Sequence, residues 1–161
     1  MKHSDSGPNK RFQASSGVVY RPPAMGAFFC MTLPYFPRRG EVLICDFDSG
    51  FRPPEMVKKR PVVVISSKES HHRRVCTVIP FSTTLPNPPE RWHHPLPHVK
   101  VPGMQAQAPM WAKCDMVVTV SFKRLNKPYI KSRNGRVYRE LVLGDADMGL
   151  MNSCLRTYLS I

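Results

Sequence analysis

Apolar residues in this chain gather in short runs separated by prolines, glycines and charged stretches, the spacing of a small β protein. Residues 41–47 form a short β-rich run. Residues 61–66 (Pro-Val-Val-Val-Ile-Ser) are apolar on both faces, as a central strand covered on both sides must be. Residues 75–82 predict another strand. Eight prolines lie between Pro80 and Pro109, which rules out a long helix or a central strand there. That stretch is expected to be loop, with one edge strand around residues 98–101. Residues 110–113 and 115–120 predict strand, bent at Cys114. Asn134-Gly135 lies between the β-rich runs 129–133 and 136–143 and marks a two-residue hairpin turn. Asp145 is a suitable N-cap for a C-terminal helix. Along that helix Met148, Met151, Cys154, Leu155, Tyr158 and Leu159 recur at helical spacing and are expected to pack on the core. Six or seven short strands with one terminal helix predict a mainly β fold, a small barrel.

Residues 1–37 lack any such period and are rich in Ser, Gly, Pro, Lys and Arg. They read as a disordered N-terminal tail. A translation start at Met31 would remove most of it without touching a domain spanning 38–161. A chain of 161 residues suits one domain plus a tail.

Charge narrows the choice of partner. The net charge is +13, with a pI near 10. Seven Lys and Arg, and no acidic residue, lie between Lys123 and Arg139. Lys58-Lys59-Arg60 and Arg73-Arg74 add smaller clusters. Such a surface attracts a polyanion. No basic amphipathic helix is visible, which favours nucleic acid over a membrane surface. No apolar run approaches the roughly 18–20 residues that span a bilayer. The five cysteines are odd in number and widely spaced, without a C-x-x-C, as in a reduced, cytosolic protein. His71-His72, His93-His94 and His98 match no common zinc framework, so no metal cofactor is expected.

Several groups at strand ends have chemistry to offer. Arg60 precedes Pro61, so it is extended at the mouth of a buried strand. Ser82, Thr83 and Thr84 end the next strand. Lys113 and Asp115 flank Cys114 and would emerge on one face of a regular strand. Glu55 lies in the loop before the basic cluster. Attack of a ribose 2′-OH on its own phosphodiester needs a proton acceptor, charge stabilisation on the phosphate oxygens, and a proton donor for the leaving 5′-oxygen. Arginine suits the second task, because its fork pairs with two phosphate oxygens and stays charged. Each group also has a plain structural reading: Arg60 as a surface charge, Ser82–Thr84 as a turn, Lys113 with Asp115 as an ion pair.

Read in order, these blocks resemble the MazF/PemK/Kid toxins of type II toxin–antitoxin systems, and most closely the PemK-like YifN group. The resemblance rests on Gly-Glu-Val-Leu-Ile-Cys-Asp-Phe at 40–47, Glu55 five residues before Arg60, and Arg-Pro-Val-Val-Val-Ile at 60–65. It continues with Val-Ile-Pro-Phe-Ser-Thr at 78–83 and Lys-Cys-Asp at 113–115 leading to Arg124-Leu125. It covers about residues 38–161, and the 60–65 block is its most specific part.

The resemblance implies an SH3-like barrel and a metal-independent, sequence-selective endoribonuclease that cuts single-stranded mRNA. It implies Arg60 and Ser82 on the scissile phosphate, with Asp115 and Lys113 as proton carriers. Glu55, Lys58, Lys59, Arg52, Thr83, Lys123 and Arg124 would line the RNA path, with Glu55 also organising its loop. The products would be a 2′,3′-cyclic or 3′-phosphate and a 5′-OH. The implied partners are a second copy of the chain, in a homodimer, and an acidic cognate antitoxin; the implied setting is the bacterial cytoplasm. Two residues depart from the pattern. Pro54 stands where relatives carry His or Ser, and Lys113 stands where they carry Arg. An RNA-binding barrel without cleavage therefore stays open, as does a gyrase-directed inhibitor of the CcdB kind. The basic 123–139 hairpin looks longer than in compact relatives. It would either extend the RNA track, with Tyr129 or Tyr138 stacking on bases, or be a solvated ribbon.

Overall fold

The computed structural model describes residues 33–104 and 109–161. The core is an antiparallel sheet. Its first strands are β1 (Val42–Asp46), β2 (Lys59–Val64) and β3 (Val75–Ser82). They are followed by β4 (His93–Leu96), β5 (Met110–Lys113), β6 (Val118–Ser121) and the two-residue β7 (Leu125–Asn126). A separate hairpin, β8 (Tyr129–Ser132) and β9 (Gly135–Tyr138), precedes the helix α1 (Asp145–Leu159).

The strand order β4-β5-β3-β2-β1-β7 leaves β4 and β7 as edges, so the sheet curls without closing. β3 makes the curl. Its first half pairs with β6, from Val75↔Ser121 to Val78↔Val118, and its last two residues pair with β5 through Phe81↔Ala112 and Ser82↔Trp111. Pro80 sits at this hand-over, between the end of one ladder and the start of the next. A missing N–H costs least at such a point.

Both faces of the sheet are covered, which explains the unbroken apolar run in β2. Val63, Ile79 and Phe81 pack with Met148 and Met151 of α1 on one face. Val62, Val64 and Val78 pack with Leu43, Phe47 and Phe122 on the other. The small-barrel expectation is met as an open antiparallel sheet with one C-terminal helix.

Local boundaries differ from the sequence expectations. The edge strand is His93–Leu96, not 98–101, because only there does the chain run beside β5, with His93↔Lys113 and Leu96↔Met110. The hairpin closes one residue earlier than expected. Ser132 pairs with Gly135, so Arg133-Asn134 form the turn, and Gly135 opens β9 at φ +119°. The N-cap of α1 is Gly144 rather than Asp145, which lies in the first turn. Asp145 and Asp147 still complement the positive helix end there. The helical stripe is core only in its first half: Met148 and Met151 are buried, whereas Tyr158 and Leu159 are exposed. Residues 1–32, including Met31, lie outside the described residues. The last part of the expected tail packs on the sheet, with Leu33 buried and its N–H donating to the Phe122 carbonyl at 3.2 Å. No helix among the described residues is long and apolar enough to cross a membrane.

Candidate active site

Strand register gathers the predicted groups. Arg60 pairs with Cys45 on β1. The β2–β3 ladder pairs Val62 with Pro80, so Arg60 and Ser82, each two residues further on, lie at the same level. Paired residues share a face, and so do residues two apart. Arg60 therefore stands on the face that carries Val62 and Phe47. On the other side of β3, Ser82 pairs with Trp111, which puts Lys113 on the Ser82 face. Arg60 is half-buried, and its Nε donates to the Val57 carbonyl at 3.2 Å. Ser82 keeps 7% of its surface. Its Oγ accepts the Thr84 N–H at 3.1 Å, which leaves the hydroxyl proton free to donate. Thr83, beside it, is exposed.

A cleft of about 510 Å³ opens next to this face. Phe47, Phe51, Pro54, Glu55 and Met56 form one wall; Asp115–Val118, Trp92 and Tyr158 form the other. Two predicted carboxylates thus share one cavity. Glu55 closes its own loop, since its Oε2 accepts the Arg52 N–H at 2.8 Å while its N–H donates to the Arg52 carbonyl at 2.8 Å. Asp115 lies in a short 3-10 turn after β5, so the strand does not continue straight through Cys114.

The residue that sequence reasoning missed is His93. Its Nε2 lies 3.4 Å from Asp115 Oδ1, within ion-pair distance but outside hydrogen-bond geometry, and both atoms are buried without a hydrogen-bond partner among the described residues. Its Nδ1 accepts the Glu90 N–H at 3.1 Å, so the neutral ring carries its proton on Nε2, on the side of Asp115. The imidazole is almost fully enclosed, with 7% of its side chain exposed against 27% for Asp115. The next residue, His94, points the other way, its Nε2 lying 3.3 Å from Asp147 Oδ1 on α1. The alternation of a strand separates the pair, sending one histidine toward Asp115 and the other to the helix. Read only as possible zinc ligands, the two gave no sign of this. Among the described residues no three His, Cys, Asp or Glu side chains gather as a metal cage.

The outlying residues divide by their partners. Lys58 adopts φ +70° in the bend before β2. Lys59 reaches Asp46 at 3.4 Å across the β1–β2 ladder, on the surface. Arg52 is exposed at the cleft loop. Arg124 was expected along the RNA path, but its guanidinium is committed to the loop after β1. Nη1 donates to the Asp46 and Ser49 carbonyls at 3.1 and 2.8 Å, and the group lies 5.2 Å from the Phe51 ring centroid. Lys123 is exposed, with its N–H capped by Ser121 Oγ. The thiols of Cys45, Cys76 and Cys114 are pushed up to about 12 by burial, which makes them inert packing groups rather than nucleophiles.

A curled antiparallel sheet with a C-terminal helix is a fold this chain shares with solved MazF toxins. MazF from Deinococcus radiodurans superposes with a TM-score of 0.56 at 13% identity, over 79% of this chain and 99% of that one. An endoribonuclease from a mycobacterial species, solved in complex with its cognate antitoxin, gives 0.51 at 18% identity, over 78% and 96%. In sequence, residues 38–157 match the PemK-like, MazF-like toxins of type II toxin–antitoxin systems, and the chain belongs to that family. Escherichia coli (strain K12) carries a relative, the uncharacterized protein YifN, 31% identical over 144 residues, covering 78% of this chain and 85% of YifN.

Proposed function

We propose that the chain is a sequence-selective endoribonuclease toxin that cuts single-stranded RNA by internal 2′-OH attack, without a metal cofactor, and that a cognate antitoxin silences it. The observation that supports this best is the common face of Arg60, Ser82 and Lys113 beside a cleft walled by Asp115. Arg60 pairs with the non-bridging oxygens of the scissile phosphate, and the Ser82 hydroxyl donates to the same group. Asp115 takes the 2′-OH proton as the 2′-oxygen attacks phosphorus. The bond to the 5′-oxygen breaks, and Lys113 supplies the proton that oxygen needs. A 2′,3′-cyclic phosphate and a 5′-OH result. His93 acts behind Asp115, holding Oδ1 from the enclosed side so that the other oxygen faces the cleft. Phe51, Trp92 and Tyr158 offer ring surfaces on which bases stack.

The net charge of +13 suits both an RNA substrate and an acidic antitoxin segment competing for the same face. In the homodimer reading, RNA lies across two such faces. A second reading is an RNA-binding domain without cleavage. Pro54, which cannot move a proton, lines the cleft at the position where the family resemblance implies His or Ser, and so favours it.

One experiment decides between them. Purified protein is incubated with a long RNA in chelator, and the fragment ends are mapped. Discrete fragments with 5′-OH ends are expected, and Arg60→Ala should abolish them while its circular dichroism stays native. Intact RNA that is nevertheless shifted on a gel supports the binding domain. Native-rate cutting by Arg60→Ala overturns the mechanism.

A further inference from the structure

We propose that the β8–β9 hairpin is a second, separate binding site for single-stranded RNA. This rests on the reading of the chain as an RNA-directed protein. The hairpin forms its own two-stranded sheet and is exposed along both strands except at half-buried Tyr129. Its register sorts the side chains. Tyr129↔Tyr138 and Lys131↔Arg136 are paired rows of one face, and Ile130↔Val137 belong to the other. Both rings and two of the cations therefore share a surface. The tyrosine centroids are 5.9 Å apart, and the Arg136 guanidinium lies 4.7 Å from the Tyr129 ring. Arg133 adds charge at the turn and Arg139 at the base.

Rings and cations on one face fit a single-stranded polynucleotide, whose bases stack while its phosphates pair. A membrane-surface element would instead place its rings with the aliphatic residues and its cations opposite. Here the aliphatic pair lies on the face without rings. The absence of any acidic residue from 123 to 139 leaves the charge uncompensated within that segment.

Position makes the site distinct from the cleft. β7 pairs with β1 through Cys45↔Leu125 and Ile44↔Asn126, so the chain leaves toward the start of β1. It returns where Val142 bridges Glu41. Arg60 pairs with Cys45, so at roughly 3.4 Å per residue the outgoing end of the hairpin, at Ile44, is rooted one residue further along β1 and the returning end, at Glu41, about 14 Å further. The ribbon is also held in place. Arg139 N–H donates to the Pro128 carbonyl at 2.8 Å, and Gly103, at φ +78°, lies so close that an added Cβ would fall 1.9 Å from the Tyr129 carbonyl oxygen. An otherwise marginal two-stranded hairpin thereby gains a fixed orientation.

The test uses fluorescence anisotropy with oligouridylate of about 6 and about 24 nucleotides, bracketing the span one small domain covers. The full chain is compared with the double variant K131A/R136A and with Y129A/Y138A. For the long RNA, K131A/R136A is expected to weaken binding about tenfold at low salt. Its salt slope should become shallower by about 1.4, the value for two lost phosphate contacts on a single strand. Y129A/Y138A should weaken the long RNA at least fivefold with its salt slope kept, since stacking releases no counterions. Binding of the short RNA should be unchanged in both. Native affinity and slope for the long RNA in K131A/R136A overturn the proposal. So does selective loss of binding to polyglutamate with RNA binding intact, which would make the partner an acidic protein. Hairpin-dependent binding of oligouridylate by a protein that leaves a long mixed-sequence RNA intact in chelator would support this site while refuting the nuclease reading.

Discussion

Removing the His93 imidazole tests the least anticipated part of the site. In His93→Ala, Asp115 Oδ1 loses the imidazole 3.4 Å away, a contact that closes to a hydrogen bond with a small shift of either side chain, and no other donor among the described residues lies on that oxygen. A hydrogen bond to a charged group contributes about 1.5–3 kcal/mol. Charge-assisted bonds at full strength are about 2.7–2.9 Å long, so a 3.4 Å contact belongs at or below the lower end, about 1–1.5 kcal/mol. If Asp115 carries the proton, that corresponds to an approximately 5- to 12-fold fall in the chemical step. Single-turnover cleavage of a short RNA in chelator reads this step directly. Urea unfolding of the variant, which should lose about 1–3 kcal/mol for the cavity and the orphaned carboxylate, sets conditions under which both proteins are folded. His93→Gln returns an N–H donor and should recover most of the rate. Because His93 acts through Asp115, adding His93→Ala to Asp115→Ala should cost nothing further. Equal, multiplicative losses in both backgrounds, or a native single-turnover rate in folded His93→Ala, would refute the arrangement.

Three further outcomes follow from the packing. Arg124→Ala releases the loop after β1 and the Phe51 wall of the cleft; it should lower stability by about 1–3 kcal/mol and weaken RNA affinity more than the chemical step. Urea midpoints and RNA titration measure the two effects. Met151→Ala empties a fully buried position between sheet and helix and should cost about 2–5 kcal/mol, read from the urea midpoint; a smaller loss would mean that α1 packs loosely. Burial lowers the proton affinity of His71, whose Nε2 meets Ser66 Oγ at 2.7 Å. With the folded value below the ordinary 6.5, the unfolded chain takes up the proton first. The His71 contribution is therefore complete above about pH 6.5 and declines as pH falls below it. Urea midpoints at pH 7.5 and 5.5 should differ by less in His71→Gln than in the native chain, and an unchanged difference would exclude His71 as the source.

Residue order alone was enough to mark most strands, because their signals are local. The β-branched run of β2, the limits of β3, the hairpin and the periodic helix all depend on neighbours within a few positions. The edge strand failed for the converse reason. The segment 93–96, His-His-Pro-Leu, has little strand propensity of its own and pairs only because β5 is beside it. Cap identity at Gly144 and the one-residue shift of the hairpin turn reflect backbone angles that composition underdetermines.

The site divides along the same line. Arg60, Ser82, Lys113, Asp115 and Glu55 could be marked in advance because each follows or precedes a strongly patterned strand. The common face of Arg60, Ser82 and Lys113 came from pairing registers between strands distant in sequence. His93 behind Asp115, Arg124 turned toward the loop after β1, and Trp92 against Tyr158 on one wall of the cleft were decided only by the tertiary structure. In each case the deciding partner lies at least 22 residues away in the chain. Composition determined that this protein carries an excess of positive charge. Which of those charges brace the loops and which face solvent was settled by folding, because a cation's role depends on the groups the fold brings within hydrogen-bonding reach of it.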